Sequence, residues 1–281
     1  MSNTTIVVMG DHAEFAPPPR ERPSLRVGHV SLVGITLFTF AFLYVPIIVL
    51  IIFSFNSART GAVWQGFTLS WYQRLLNNEA LLSAAGRSLI IGLLSTAGSV
   101  IIGTMTALAM EREHFRGKTI WDGLLYMPVI IPEIVSGVSL LLFFAAGGIE
   151  RGLFTLVVSH IAFSMPFVYL TVRARLADFD RSIEEAAQDL GADEARTFWL
   201  ITLPLLMPGI VSGALLAFTL SIDDFIISFF VTGKGWNTLP IYIWSQLKQG
   251  VTPEINAISA ILLLFSVSII VMSLLLQRRQ H

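Results

Sequence analysis

Three carboxylates stand inside otherwise uncharged apolar stretches: Glu133, in MPVIIPEIVSG, and the adjacent pair Asp223 and Asp224. An ionised side chain in hydrocarbon costs on the order of 3 kcal/mol on insertion scales, so such groups face a bundle interior or a wet cavity. No Lys or Arg shares these stretches. The resulting field suits a cationic solute and would serve sulfate, molybdate or phosphate poorly. Around Glu133, Pro128 and Pro132 lie about one turn apart, and each deletes a backbone N–H and frees a carbonyl. Gly137 loosens the next turn. A broken helix with free carbonyls and a carboxylate suits cation coordination; the alternative is a prolyl kink with Glu133 paired to an arginine of a partner subunit. Neighbouring residues on a helix point about 100° apart, so Asp223 and Asp224 cannot both face one lumen. One lines a path while the other caps or pairs with a neighbouring helix. Phe225, Trp236 and Tyr242 offer π faces for an ammonium, or serve as interfacial anchors.

Other chemistries lack their residues. The chain has no cysteine, no HExxH and no GxSxG, and its five histidines are scattered. His160 alone falls within a span, near Ser164 and Pro166, where a hydrogen bond to a neighbouring helix and a kink are expected. Gly117-Lys118-Thr119 matches the tail of a phosphate-binding loop, but Arg112 stands where the first glycine is required and no strand precedes it. No catalytic residue, metal site or cofactor site is expected, and any ATP hydrolysis must come from another chain. A net charge of −1 opposes nucleic-acid binding.

The elements that must hold these residues are long and apolar. Of 281 residues only 13% are charged, against about 25% in a soluble domain. A helix crosses the hydrocarbon core with about 20 apolar residues. Six stretches qualify: residues 30–55, 88–110, 124–146, 153–172, 208–230 and 255–276. Backbone groups in lipid must be satisfied within the segment, so all six read as helices. Twelve of the 18 Lys and Arg residues fall on one face if the N-terminus is cytoplasmic, which places both termini inside. Residues 1–29, with Pro17, Pro18, Pro19 and Pro23, read as a disordered tail. The first helix is expected to remain as an anchor, residues 30–276 to form the transmembrane domain, and 277–281 to be a short tail.

Residues 174–206 form a charged connection between the fourth and fifth spans. Ser182 and Glu185 fit a capping box, Ile183, Ala186, Ala187 and Leu190 make one apolar stripe, and Gly191 stops the helix. Asp193 can cap a second short helix that Pro204 and Pro208 end before the membrane. Two short helices at a turn offer either a docking knob or a connector lying on lipid. The alanines favour docking, because small side chains permit close approach.

EAAQDLGADEARTFWLITLP, residues 185–204, resembles the EAA motif of bacterial ABC-importer permeases: Glu-Ala-Ala, three residues, Gly, nine residues, then Ile-x-Leu-Pro. GFTLSWYQRLLNN (66–78), FTLSIDDFIISFFVTGKGWNTLP (218–240) and GVTPEINA (250–257) resemble the second permease of spermidine/putrescine importers. Where that family often has Gly-Pro-Gly, this chain has Gly233-Lys234-Gly235, and a lysine near an external mouth would repel a polycation.

The resemblance implies an all-α polytopic fold with six transmembrane helices, of the ABC type I importer permease class, in a bacterial inner membrane. It implies that Glu185, Ala186, Ala187, Gly191, Leu203 and Pro204 couple the chain to an ATPase. It further implies two copies of that ATPase, a second homologous permease, an extracytoplasmic solute-binding protein and a polyamine substrate. The same machinery with an opine, an amino acid, ferric iron or an aminophosphonate is the alternative.

Overall fold

The computed structural model describes residues 25–58, 63–248, 250 and 252–278, with side chains described for 32–58, 63–248, 250 and 252–268. The chain divides into two units, residues 1–48 and 49–281. Helix α1 (Leu25–Phe53) opens at Leu25, so the tail expected over residues 1–29 lies outside the described residues as far as residue 24. From Leu32 to Val45 its side chains are exposed and, apart from Gly34 and two threonines, apolar. A surface of that composition belongs against lipid or another apolar helix.

The second unit contains α2 (Ser70–Leu76), α3 (Glu79–Arg112), α4 (Lys118–Ile130), α5 (Glu133–Ala146), α6 (Leu153–Ala177), α7 (Ser182–Asp189), α8 (Glu194–Thr197), α9 (Leu203–Asp223), α10 (Ile226–Val231), α11 (Leu239–Leu247) and α12 (Pro253–Arg278). Among the described residues there is no strand, only an isolated bridge between Asn56 and Phe67. Four helical segments are long and apolar enough to cross a membrane: Leu32–Phe53, Glu79–Arg112, Leu153–Ala177 and Glu194–Asp223. Helices α4 and α5 reach that length and apolarity only together, as a broken span or a re-entrant loop.

Helices α3, α6 and α9 form the centre of the second unit. Their crossings are lined by glycines, alanines and serines. A Cβ on Gly103 would lie 2.9 Å from Val168 Cβ and 3.0 Å from the Met165 carbonyl, and one on Gly213 would lie 2.5 Å from Thr171 Oγ1. Lipid supplies no hydrophobic drive between helices, so close backbone approach and interhelical hydrogen bonds take over. Ser99 and Ser164 meet at 3.2 Å, and Ser95 and Ser221 at 3.0 Å.

Two of the six expected spans are not single helices. Helices α4 and α5 are bent by 107° at Ile131-Pro132. Pro132 has no N–H to return to the Pro128 carbonyl, and its ring clashes with that same carbonyl in a continuous helix. The span expected over 208–230 ends as a helix at Asp223; Asp224 is extended (φ −64°, ψ 117°) and α10 follows. At its other end this segment reaches back to Glu194, because Pro204 and Pro208 do not terminate the helix before the membrane. Residues Phe198–Thr202 form a π turn in which the Leu203 N–H reaches the Phe198 carbonyl. The wider turn lets the prolyl ring of Pro204 pass without breaking the rod.

Candidate functional site

The two broken spans meet. Gly137, in the second turn of α5, lies against α10, where a Cβ would come 2.8 Å from Phe230 and 3.5 Å from Ile227 Cα. Asp224 occupies the α9 break and is 5% exposed. Its Oδ1 accepts the Ile227 N–H (3.1 Å) and its Oδ2 accepts the Ser228 N–H (2.7 Å), so one carboxylate caps the first turn of α10. His160 of α6 completes the arrangement: its Nε2 lies 3.2 Å from Asp224 Oδ2 and 3.0 Å from Ser228 Oγ, and its Nδ1 lies 2.6 Å from Ser221 Oγ. Ser221 in turn meets Ser95 of α3. Glu133, the first residue of α5, is half-buried just past the bend at Pro132. A buried polar chain therefore links α3, α6, α9 and α10.

Asp223 points the other way. It is exposed and lines a cavity of about 400 Å³ with Phe225, Pro240, Ile243, Trp244 and Leu262. The Phe225 and Trp244 ring centroids are 5.2 Å apart, and Lys248 Nζ lies 5.6 Å from the Trp244 ring. The cavity thus presents one carboxylate and two aromatic rings, with no other charged side chain in its lining. That combination can hold an ammonium group by charge and by the ring quadrupole. Of the two adjacent acids, Asp224 is the one that caps and pairs, and Asp223 is the one exposed in the cavity.

The remaining expected path residues go elsewhere. Trp236 packs on the cluster of Ile91, Phe144, Leu156, Ile227 and Val231, with its Cδ1 3.7 Å from a Cβ position on Gly152. Tyr242 faces a separate cavity of about 270 Å³ on the opposite side of α11, where its Oη accepts from Asn78 Nδ2 (3.0 Å) and Gln246 Nε2 (2.9 Å). Neither residue joins Asp223. Trp244, which sequence reasoning passed over, does; its only signal is a position four residues beyond Pro240 and one turn from Lys248 on α11.

At the other end of the bundle, α7 and α8 build the expected two-helix turn. Gly191 adopts φ +89°, its N–H reaches the Gln188 carbonyl (2.9 Å), and the Ala192 N–H reaches the Ala187 carbonyl (3.0 Å). This pair of bonds closes α7 through a left-handed residue that only glycine adopts without strain. Asp193 Oδ1 accepts the Arg196 N–H at 2.7 Å and caps α8. The expected box between Ser182 and Glu185 does not form: Ser182 lies inside the first turn and Asp180 Oδ1 accepts its N–H at 2.9 Å. That bond holds the Asp180 carboxyl below the usual carboxylate range. Glu185 and Ala186 are exposed, Ala187 is half-buried, Leu203 is half-buried and Pro204 is exposed. Leu190, Trp199 and Leu200 are also left uncovered.

Comparison with known proteins gives the family. Residues 98–281 match the family described as "Binding-protein-dependent transport system inner membrane component". The chain belongs to this family. The permease is 45% identical over 252 residues to the spermidine/putrescine transport system permease protein PotC of Escherichia coli K12, covering 90% of this chain and 96% of the relative. It is 43% identical over 236 residues to the putrescine transport system permease protein PotI of the same organism, covering 82% and 84%. Among solved structures, it superposes with a TM-score of 0.67 at 18% identity on a chain of a bacterial ABC transporter involved in import of the acidic polysaccharide alginate, covering 93% of this chain and 99% of that one. A chain of an amino acid ABC transporter gives a TM-score of 0.59 at 17% identity, covering 76% and 100%. The fold is that of ABC-importer permeases, and the family places the permease in the inner membrane as a transport subunit and not an enzyme.

Proposed function

We propose that this permease carries polyamines, putrescine or spermidine, across the cytoplasmic membrane, driven by a separate ATPase seated on the turn between α7 and α8. The observation that carries the cargo is the cavity in which Asp223 is the lone acid beside the rings of Phe225 and Trp244. A protonated amine finds there a counter-charge and two π faces, and its methylene chain finds apolar lining. The relatives named for spermidine and putrescine transport, similar over most of their length, support the same cargo.

The Gly191 turn, with Glu185 and Ala186 exposed beside it, supplies a rigid surface for the ATPase. Two ATPase copies, a second homologous permease facing the Asp223 side and an external binding protein complete the assembly in this reading. ATP binding draws the two docking turns together and rocks the helices to an outward-open state, and hydrolysis returns them. Both termini lie in the cytoplasm, in keeping with the bias of basic residues.

The test is uptake by the whole complex reconstituted in vesicles with its ATPase, second permease and binding protein. Labelled putrescine or spermidine should enter only with internal or external ATP on the ATPase side, and excess unlabelled polyamine should abolish entry. Uptake indifferent to polyamine, but competed by an opine, an amino acid, ferric iron or an aminophosphonate, would assign the other cargo.

A further inference from the structure

Glu184, one residue before the Glu-Ala-Ala triplet, does not face out with Glu185. Its side chain is only 13% exposed, and its Oε1 accepts from both the Arg112 guanidinium and the Thr202 hydroxyl. Arg112 is the last residue of α3, and Thr202, fully buried, ends the π turn that leads into α9. One carboxylate therefore binds α7 to two of the three helices at the centre of the bundle. A second bond runs beside it, from the Arg181 guanidinium to the Glu111 carbonyl at 3.3 Å. Glu111 lies 4.0 Å from Arg173 of α6, and Arg173 donates to Asp122 of α4 at 2.6 Å, where Tyr169 also donates at 2.6 Å. The end of α3 is thus bonded to α7 and α6, and through them to the start of α9 and to α4.

We propose that Glu184 is a positioning residue for energy coupling: its paired bonds to Arg112 and Thr202 make α7, the end of α3 and the start of α9 move as one body. The inference rests on the reading of the α7 turn as the ATPase seat. Without Glu184, α7 is joined to α9 chiefly through the Gly191 turn and the π segment, the two least regular stretches of backbone in this region, and a push on α7 is absorbed there. Bonds to a mostly buried carboxylate resist such slippage, because breaking them strands a charge.

The experiment uses the reconstituted complex and reads three quantities: ATPase retained on purification, ATP hydrolysed, and solute moved per ATP. Glu184→Gln keeps the shape and removes the charge. It should retain the ATPase and hydrolysis but lower solute moved per ATP by about five-fold, within the range that coupling-network substitutions produce. The swap Arg112→Glu with Glu184→Arg should recover at least half of that loss, which a merely local packing role would not. Unchanged transport per ATP in both Glu184→Gln and Glu184→Ala would overturn the proposal. Loss of the bound ATPase in Glu184→Gln would also overturn it, by assigning Glu184 to the seat itself. A wild-type complex that moves solute without its ATPase would instead overturn the docking reading, and the positioning role with it.

Discussion

The centre of the bundle and the meeting point of the two broken spans solve opposite problems with different residues. Where α3, α6 and α9 cross, glycines bring backbones into contact, and hydroxyl pairs such as Ser95 with Ser221 and Ser99 with Ser164 bond across the interface. Where α5 meets α10, the backbone is interrupted in both broken spans, and a histidine and a carboxylate fill the break after α9. A glycine crossing has one stable arrangement, since its surfaces fit only at one separation. Paired breaks have freed backbone groups and ionisable partners that can be exchanged. The difference makes the first region a close-packed frame and the second a polar joint between interrupted helices.

The largest expected effect comes from spoiling the frame. Gly103→Val puts methyl groups where the Met165 carbonyl and Val168 already stand, an overpacking worth about 3 kcal/mol or more. Immunoblots of membrane fractions should show most of the protein gone; normal accumulation would mean the crossing is not rigid. Next comes the break. Asp224→Ala uncaps α10 and leaves His160 without its carboxylate, a combined loss of about 3 kcal/mol. Asp224→Asn keeps an acceptor for the cap and should recover part of the thermal stability measured in detergent. Equal loss in both variants would show the charge, and not the cap, to be what holds α10.

Asp223→Asn separates the two acids. The variant should accumulate and melt like the parent, while the half-saturation concentration for polyamine uptake rises about ten-fold, equivalent to 1.4 kcal/mol. An unchanged half-saturation would move the solute away from the Phe225 cavity. The smallest effect is expected from Trp244→Leu, which removes one π face worth about 0.5–1 kcal/mol. A two- to five-fold rise in half-saturation should follow, with Trp244→Phe intermediate.

Local signals were readable from the residues alone. Gly191 stops α7 and Asp193 caps α8 as their types suggest, because these motifs involve only neighbours in sequence. The bend at Pro132 is likewise written in the prolines. The break at Asp224 has no Pro or Gly to announce it. It depends on His160, 64 positions earlier in the chain, and on two N–H groups that the carboxylate captures in competition with continued helix. Glu184 was hidden for the same reason: on an amphipathic helix it reads as one more solvated charge, and only the fold brings Arg112 and Thr202 to it. Trp236 and Tyr242 were grouped with the acids by residue type, yet they pack in places decided by the course of α10 and α11. The capping box failed because Asp180, two residues upstream, reached the free N–H first.

The π turn at Phe198–Thr202 has a consequence for the length of this chain. Such a turn is one residue inserted into an otherwise regular rod, and each residue added or removed rotates everything downstream by about 100°. Deleting a single position there would tidy the spiral and turn Asp224 off His160, which lies upstream of the turn and would not rotate with it. Insertions and deletions in this stretch should therefore cost more than point substitutions at exposed Trp199 or Leu200, because only a change of length alters the register of Asp224 against His160.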